Sequence, residues 1–280
     1  KYVQVERVVK GKKINVKERT TNRGFLISPR PKQKFGCDKI MGRIVEMLRH
    51  EKEPNYYNDL LREELKVLGV PQERIEEVLL KREEYCNNKY VYSLLMQYAA
   101  GFGKSNIIGW TALQLKDFRY YDEFAYDRIL IVVDRVQLRG QLDTMMYNMN
   151  INNAMFTEAT DQDTFMEALD DKKRIIVVNI QKFLDLQNAL TKAHKKLKEM
   201  RVAFLIDEIH RSNSGENNEE MLNIFADLQK TFNTGGTVVT KKNLLIGFTA
   251  TPDDVTLTRF GEFKNSAEVF PLWVPFDSYT

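Results

Sequence analysis

Apolar positions along the chain follow two rhythms, and the change between them falls near residue 90. Before it, YVQVERVV (2–9) and INVKER (14–19) alternate around KGKK, which predicts a short hairpin. A loop with Pro29 and Pro31 follows, and DKIMGRIVEMLRH (38–50) then repeats apolar residues at helical spacing. NDLLREELKVLG (58–69) and PQERIEEVLLKREEY (71–85) predict a charged helical pair, the second opening on Pro71, where a first helical turn tolerates a missing N–H. From residue 90 short apolar runs take over: YVYSLLMQY (90–98), DRILIVVD (127–134), RIIVVNI (174–180), VAFLID (202–207) and NLLIGFT (243–249). Helical stretches separate them, at 106–118, 139–149, 164–171, 190–200 and 219–232. Runs that are apolar almost throughout need cover on both faces, so the alternation predicts an α/β fold with a parallel, helix-flanked sheet. The organisation is a hairpin and helical extension over 1–89 and one α/β lobe over 90–280, and functional groups in such a sheet collect at the carboxyl ends of its strands.

Composition changes this picture little. Of 280 residues 43% are hydrophobic and 29% charged, as in an ordinary soluble domain. The 42 basic and 39 acidic residues leave a net charge of +3, too balanced to announce a nucleic-acid binder by itself. Cys37 and Cys86 are too few for a disulfide framework and too far apart for a local metal motif, so a reducing cytoplasm is the default expectation. The longest apolar runs fall far short of the roughly 20 residues of a membrane span, and the N-terminal stretch has no signal-peptide core. The chain starts at Lys1 rather than Met, which leads us to expect a piece of a longer protein.

Three strand ends carry chemistry. The first is QYAAGFGKSN (97–106), where a strand runs into a glycine loop and then a helix. That order lets backbone N–H groups and a helix N-terminus converge on one anion. Gly101 and Gly103 allow close approach, Lys104 reaches the β- and γ-phosphates, and Ser105 offers its hydroxyl to Mg²⁺. The pattern G-x-x-x-x-G-K-[ST] wants glycine where Tyr98 stands, and taken alone the string is also an ordinary strand-to-helix turn. The second is AFLIDEIHRS (203–212), an apolar run ending in two acids: Asp207 suits a Mg²⁺-linked carboxylate and Glu208 an activator of the attacking water. Alone, this is the polar start of a loop, and His210 an unremarkable histidine. The third is LLIGFTATPDD (244–254), whose Thr249 and Thr251 could sense the γ-phosphate and link it to a nucleic-acid groove. Both the glycine loop and the acid pair stand at strand ends, which favours the joint reading over two coincidences.

AAGFGKS, DEIHRS and GFTATP, in this order, resemble motifs I, II and III of superfamily 2 helicases and translocases. FGKSNIIGWTALQL, ILIVVDRVQLRGQLD, IIVVNIQKF and DEIHRSNSGE further resemble the ATPase region of the restriction (R) subunit of type I restriction-modification enzymes. The resemblance covers about residues 90–262 and, more faintly, 29–44, where Gln33 sits like an adenine-reading glutamine. It implies a P-loop, RecA-like first motor lobe that uses ATP and Mg²⁺ to translocate double-stranded DNA, with methyltransferase and specificity subunits as partners. Gln33, Gly101, Phe102, Gly103, Lys104, Ser105 and Asn106 would form the nucleotide site, and Ser105 and Asp207 the metal site. Lys104, Asp207, Glu208 and His210 would be catalytic, and Thr249 and Thr251 would couple hydrolysis to movement. Asp134, Arg135, Asn179, Gln181 and Lys182 match segments that face the DNA backbone in such motors, although each also reads as a solvated residue.

Two departures stand out. Isoleucine replaces the commoner alanine at Ile209, and Phe102 stands where the family has a small residue, so its side chain must turn away from the phosphates. On that reading Phe102→Ser raises ATP affinity little, a gain of tenfold or more marking a loop partly closed by its own side chain. Residues 1–90 hold no Asp…Glu-x-Lys nuclease constellation and no second lobe with an arginine finger follows the third motif, so weak binding and slow hydrolysis are expected of this piece alone. Two rivals stay open: another superfamily 2 helicase of a defence system, and a pseudo-ATPase scaffold with a loop spoiled by Phe102.

Overall fold

The computed structural model describes residues 2–9, 12–19, 28–53, 55–85, 92–133, 156–159, 161–179, 200–210, 243–265 and 271–279. Strands β1 (Tyr2–Val9) and β2 (Lys12–Arg19) pair antiparallel, with Val5 opposite Val16. Helix α1 (Pro31–Arg49) starts before the apolar periodicity does, because Pro31 occupies its first turn, where proline loses no hydrogen bond. Gln33 therefore lies in a helix and not in a loop.

Helices α2 (Tyr56–Val67) and α3 (Gln72–Tyr85) close a small cluster of Leu61, Leu65, Ile75, Val78 and Leu79, against which Trp273 packs. Helix α1 belongs instead to the main core: Ile40, Ile44 and Met47 pack in one buried cluster with Leu94, Met96, Ile108 and Phe248.

The main sheet has strand order β13 (Asp277–Tyr279), β3 (Tyr92–Tyr98), β10 (Leu244–Thr249), β9 (Val202–Asp207), β6 (Arg128–Val133), β8 (Ile175–Asn179) and β7 (Phe156–Ala159). Every pairing in it is parallel, so all its strands point their carboxyl ends the same way. Strands β9 and β10 are buried at every position, as central strands covered on both faces must be. Helix α4 (Lys104–Asp117) and helix α5 (Gln162–Asp170) follow β3 and β7, and short pairs β4 (Arg119–Tyr120) with β5 (Glu123–Phe124) and β11 (Glu262–Asn265) with β12 (Pro271–Val274) flank the sheet. Helix α6 (Asp254–Phe260) follows β10, capped by Asp253, whose side chain accepts from Thr256 N–H.

At the amino ends of β6, β8 and β9 arginine side chains are held in place: Arg174 donates to the Lys116 carbonyl at 2.7 Å, Arg128 to that of Asp171 at 3.1 Å, and the Arg201 guanidinium pairs with Glu51. That end of the sheet spends its cations on structure, leaving chemistry to the other. Among the described residues no helix is long and apolar enough to cross a membrane.

Candidate functional site

Strand register brings the three sequence signatures to one edge. Gln97, at the entrance to the glycine loop, lies opposite Thr249, and Phe248 lies opposite Asp207. Adjacent strands stand about 4.8 Å apart, so loop, acid pair and threonines occupy three neighbouring strand ends.

Gly101 and Gly103 both adopt left-handed backbone, at φ 75° and 91°, which a side chain would strain. A Cβ on Gly103 would also stand 2.6 Å from the Gln33 amide nitrogen and 3.5 Å from that of Asn106. Left-handed backbone thus favours glycine at both positions, and at Gly103 the missing side chain leaves room for the Gln33 and Asn106 amides. Gly103 caps α4, so the first N–H groups of that helix, at Lys104 and Ser105, have no carbonyl one turn earlier to receive them.

Gln33 closes the cradle from α1. Its side-chain oxygen accepts from Arg30 N–H at 2.9 Å, as a residue at that position of a helix N-terminus does, and its side-chain N–H donates to the Phe102 carbonyl at 2.6 Å.

Phe102 faces away from the cradle. Its ring stacks on Tyr98, with centroids 5.1 Å apart and planes at 19°, and on Tyr279 at 5.6 Å and 22°. Its N–H donates to the Ala99 carbonyl at 3.1 Å, so the loop turns tightly before Gly103.

Lys104 forms an ion pair with Glu208, Nζ to Oε1 2.8 Å. Glu208 can reach it because its own backbone is left-handed, at φ 49°, reversing the chain directly after β9. A non-glycine residue held there costs on the order of 1–3 kcal/mol and is a feature of functional sites. The Glu208 N–H donates to the carboxylate of buried Asp207 at 3.0 Å. Beyond the ion pair, Glu208 Oε2 lies 3.5 Å from His210 Nδ1, and that same nitrogen lies 2.8 Å from the hydroxyl of fully buried Thr249. Thr251 N–H donates to the same hydroxyl at 3.2 Å. Lys104, Glu208, His210 and Thr249 thus make one continuous polar chain across three strand ends.

Ile209, between the two polar residues, points the other way into the core, where its Cδ1 lies against Gly247 of β10. The glycine in LLIGFT is the space this isoleucine occupies.

Of the remaining residues expected at the site, Asn179 ends β8 opposite Val133, while Asp134, Arg135, Gln181 and Lys182 lie outside the described residues. Sequence reasoning missed Tyr279 and undervalued Tyr98, which it treated only as a missing glycine. The available signal was an aromatic residue two positions after Asp277.

Oxygen donors suited to a hard divalent cation are present, in the Ser105 hydroxyl and the Asp207 carboxylate. Such an ion takes one or two protein carboxylates together with substrate phosphates, so the donor set and a left-handed glycine cradle both suit magnesium and a polyphosphate.

No curated protein matches the chain by sequence. Among solved structures it is similar to the UvsW helicase of bacteriophage T4, with 14% identity, TM-score 0.39, and 57% of this chain matched to 47% of that one. It is also similar to the helicase domain of Pyrococcus furiosus Hef, with 15% identity, TM-score 0.41, and 62% matched to 33%. A third similarity is to the Sulfolobus solfataricus SWI2/SNF2 ATPase core solved in complex with dsDNA, with 16% identity, TM-score 0.38, and 65% matched to 32%. The chain thus spans less than half the length of each. The sequence profile of the SWI2/SNF2 ATPase family matches residues 93–271, more than half of the chain and the whole run from β3 to the start of β12. The chain belongs to the SWI2/SNF2 ATPase family.

Proposed function

We propose that this chain is the first motor lobe of an ATP-driven translocase acting on double-stranded DNA, and more narrowly of the R subunit of a type I restriction enzyme working with methyltransferase and specificity subunits. The observation that carries the first part is the polar chain from Lys104 through Glu208 and His210 to Thr249. It joins the residue that would hold the γ-phosphate to the one that would report its loss. The narrower part rests on the similarity of FGKSNIIGWTALQL, IIVVNIQKF and DEIHRSNSGE to that subunit.

The residues suggest a division of labour. The Lys104 ammonium binds the β- and γ-phosphates, and Gln33 orients the adenine above the loop. A triphosphate competes with Glu208 for Lys104. Once released, the Glu208 carboxylate can accept the proton of a water attacking the γ-phosphorus, whose bond to the ADP oxygen breaks as the new P–O bond forms. Ser105 and Asp207 would hold magnesium, which supplies charge neutralisation at the phosphates. Loss of the γ-phosphate lets Glu208 regain Lys104, and His210 carries that change to Thr249 on β10. The Phe102 ring, turned into the stack with Tyr98 and Tyr279, argues against a loop blocked by its own side chain and so against the scaffold reading.

The test is ATP binding by a fluorescent analogue together with ATPase rates with and without duplex DNA. Duplex is expected to stimulate hydrolysis in a salt-sensitive, sequence-tolerant way, because backbone phosphates supply the contacts, and Lys104→Ala is expected to abolish binding. Equal binding by Lys104→Ala would refute the motor reading. Stimulation by single strands or RNA in place of duplex would favour a different helicase.

A further inference from the structure

We infer that Phe102 is a positioning residue for the polyphosphate, and that the aromatic stack it joins is a lock supplied by two elements outside the family-matched segment, α1 and β13. This rests on the proposed reading that the glycine loop holds ATP. It goes further by assigning a role to a residue that reads in sequence as an intruder.

Phe102 lies between two glycines in left-handed conformations, a permissive stretch of backbone. A loop of that kind, left alone, must be ordered by its ligand, and that ordering weakens binding. Here the residue between the glycines is held in three ways. Its ring stacks on both Tyr98 and Tyr279, which themselves lie 5.4 Å apart with planes only 3° from parallel. Its N–H is donated to the Ala99 carbonyl and its carbonyl accepts from Gln33 at 2.6 Å.

The lock has two anchors. On one side β13 extends the sheet beside the loop strand: Tyr279 lies opposite Tyr98, and its carbonyl accepts from Ala99 N–H at 3.0 Å. On the other side α1 supplies Gln33, and Lys39 of the same helix pairs with Asp277 of β13 at 2.7 Å, tying the two anchors to each other. Gln33 and Tyr279 both lie beyond residues 93–271. The loop geometry is therefore set from outside the segment that carries the catalytic motifs. A serine at position 102 would keep the hydrogen bonds but leave the loop without its side-chain anchor.

The experiment measures affinity for a fluorescent ATP analogue, and for inorganic tripolyphosphate as its competitor, in wild type, Phe102→Ser, Phe102→Tyr, Tyr279→Ala and the Phe102→Ser/Tyr279→Ala double variant, with thermal melts alongside. Each aromatic pair contributes a factor of roughly 2–10, so Phe102→Ser should weaken both ligands by about tenfold, through KM far more than kcat. Phe102→Tyr should restore affinity to within about twofold, and Tyr279→Ala should weaken it by about threefold. The double variant should bind no more weakly than Phe102→Ser alone, because both changes open one lock. Should Phe102→Ser fail to fold, Phe102→Leu, which fills the space without a stacking ring, takes its place.

Unchanged or tighter binding by the position-102 variant, or full additivity in the double variant, overturns the inference while leaving the nucleotide site standing. Wild-type protein that binds neither ligand overturns the nucleotide reading as well.

Discussion

Gly247→Ala tests how the acid-bearing turn is seated. Gly247 is buried in β10, and a Cβ there would stand 2.6 Å from Ile209 Cδ1, 3.0 Å from its Cγ2 and 3.3 Å from its Cβ. Rotation about the side-chain bonds can move Cδ1 and Cγ2, but Cβ, at 3.3 Å, is carried by the backbone of the turn itself. Relief therefore requires the segment between Glu208 and His210 to shift. Inserting a methyl group into a packed core costs about 1–3 kcal/mol, which in a domain of this size lowers Tm by on the order of 5 °C. Ile209→Ala alone should cost about 2–5 kcal/mol through the cavity it leaves. In the double variant the new methyl partly fills that cavity, so the sum of the two losses should exceed the measured loss by about 0.5–3 kcal/mol. Urea titrations of the four proteins give the coupling directly. ATPase assays should show kcat falling in Gly247→Ala, since the displaced turn carries Glu208 and His210. A Gly247→Ala protein as stable as wild type, or strict additivity in the cycle, would refute the reasoning.

Other expectations follow from single contacts. Thr249→Val keeps the shape but removes the hydroxyl shared by His210 and Thr251 N–H; duplex-stimulated ATPase should fall more than ATP affinity does, and equal falls in both would remove Thr249 from the coupling role. Lys39→Ala strips the Asp277 carboxylate, whose side chain is only 7% exposed, of its cation at 2.7 Å; stability should drop by about 1–3 kcal/mol, with much of it recovered by adding Asp277→Asn, as read by urea unfolding. Burial raises the phenol of Tyr92 from 10.0 to about 12, and raises those of Tyr57, Tyr98 and Tyr126 as well. These phenols keep protons in the fold that an unfolded chain would release, so stability is full below pH 10 and is lost as pH rises through the folded values. The share of tyrosinate absorbance due to these four buried phenols should accordingly appear only together with unfolding above pH 10, and full ionisation of all twelve tyrosines with the fold intact would count against it.

Much of the fold was legible because its signals are local. Buried parallel strands such as VAFLID and LLIGFT must be apolar throughout, and the glycine loop, acid pair and threonines each stand directly after such a run. Elements with weaker local patterns escaped notice: β7 and β13 are only four and three residues long, too short for periodicity to register. The start of α1 was hidden by Pro31, which reads as loop until its first-turn position is seen.

The sequence by itself determined which residues stand at strand ends and what chemistry they can do, because residue type and two-residue or helical spacing are properties of a short segment. The tertiary structure alone decided which ends are neighbours. Strand order set β10 between β3 and β9, so Thr249 meets the loop on one side and the acid turn on the other. It also decided the direction of Phe102, whose partner Tyr279 belongs to a strand far along the chain, and the fit of Ile209 against Gly247. Both are matters of packing between distant segments, and no local pattern encodes which side of a loop will be offered an aromatic face.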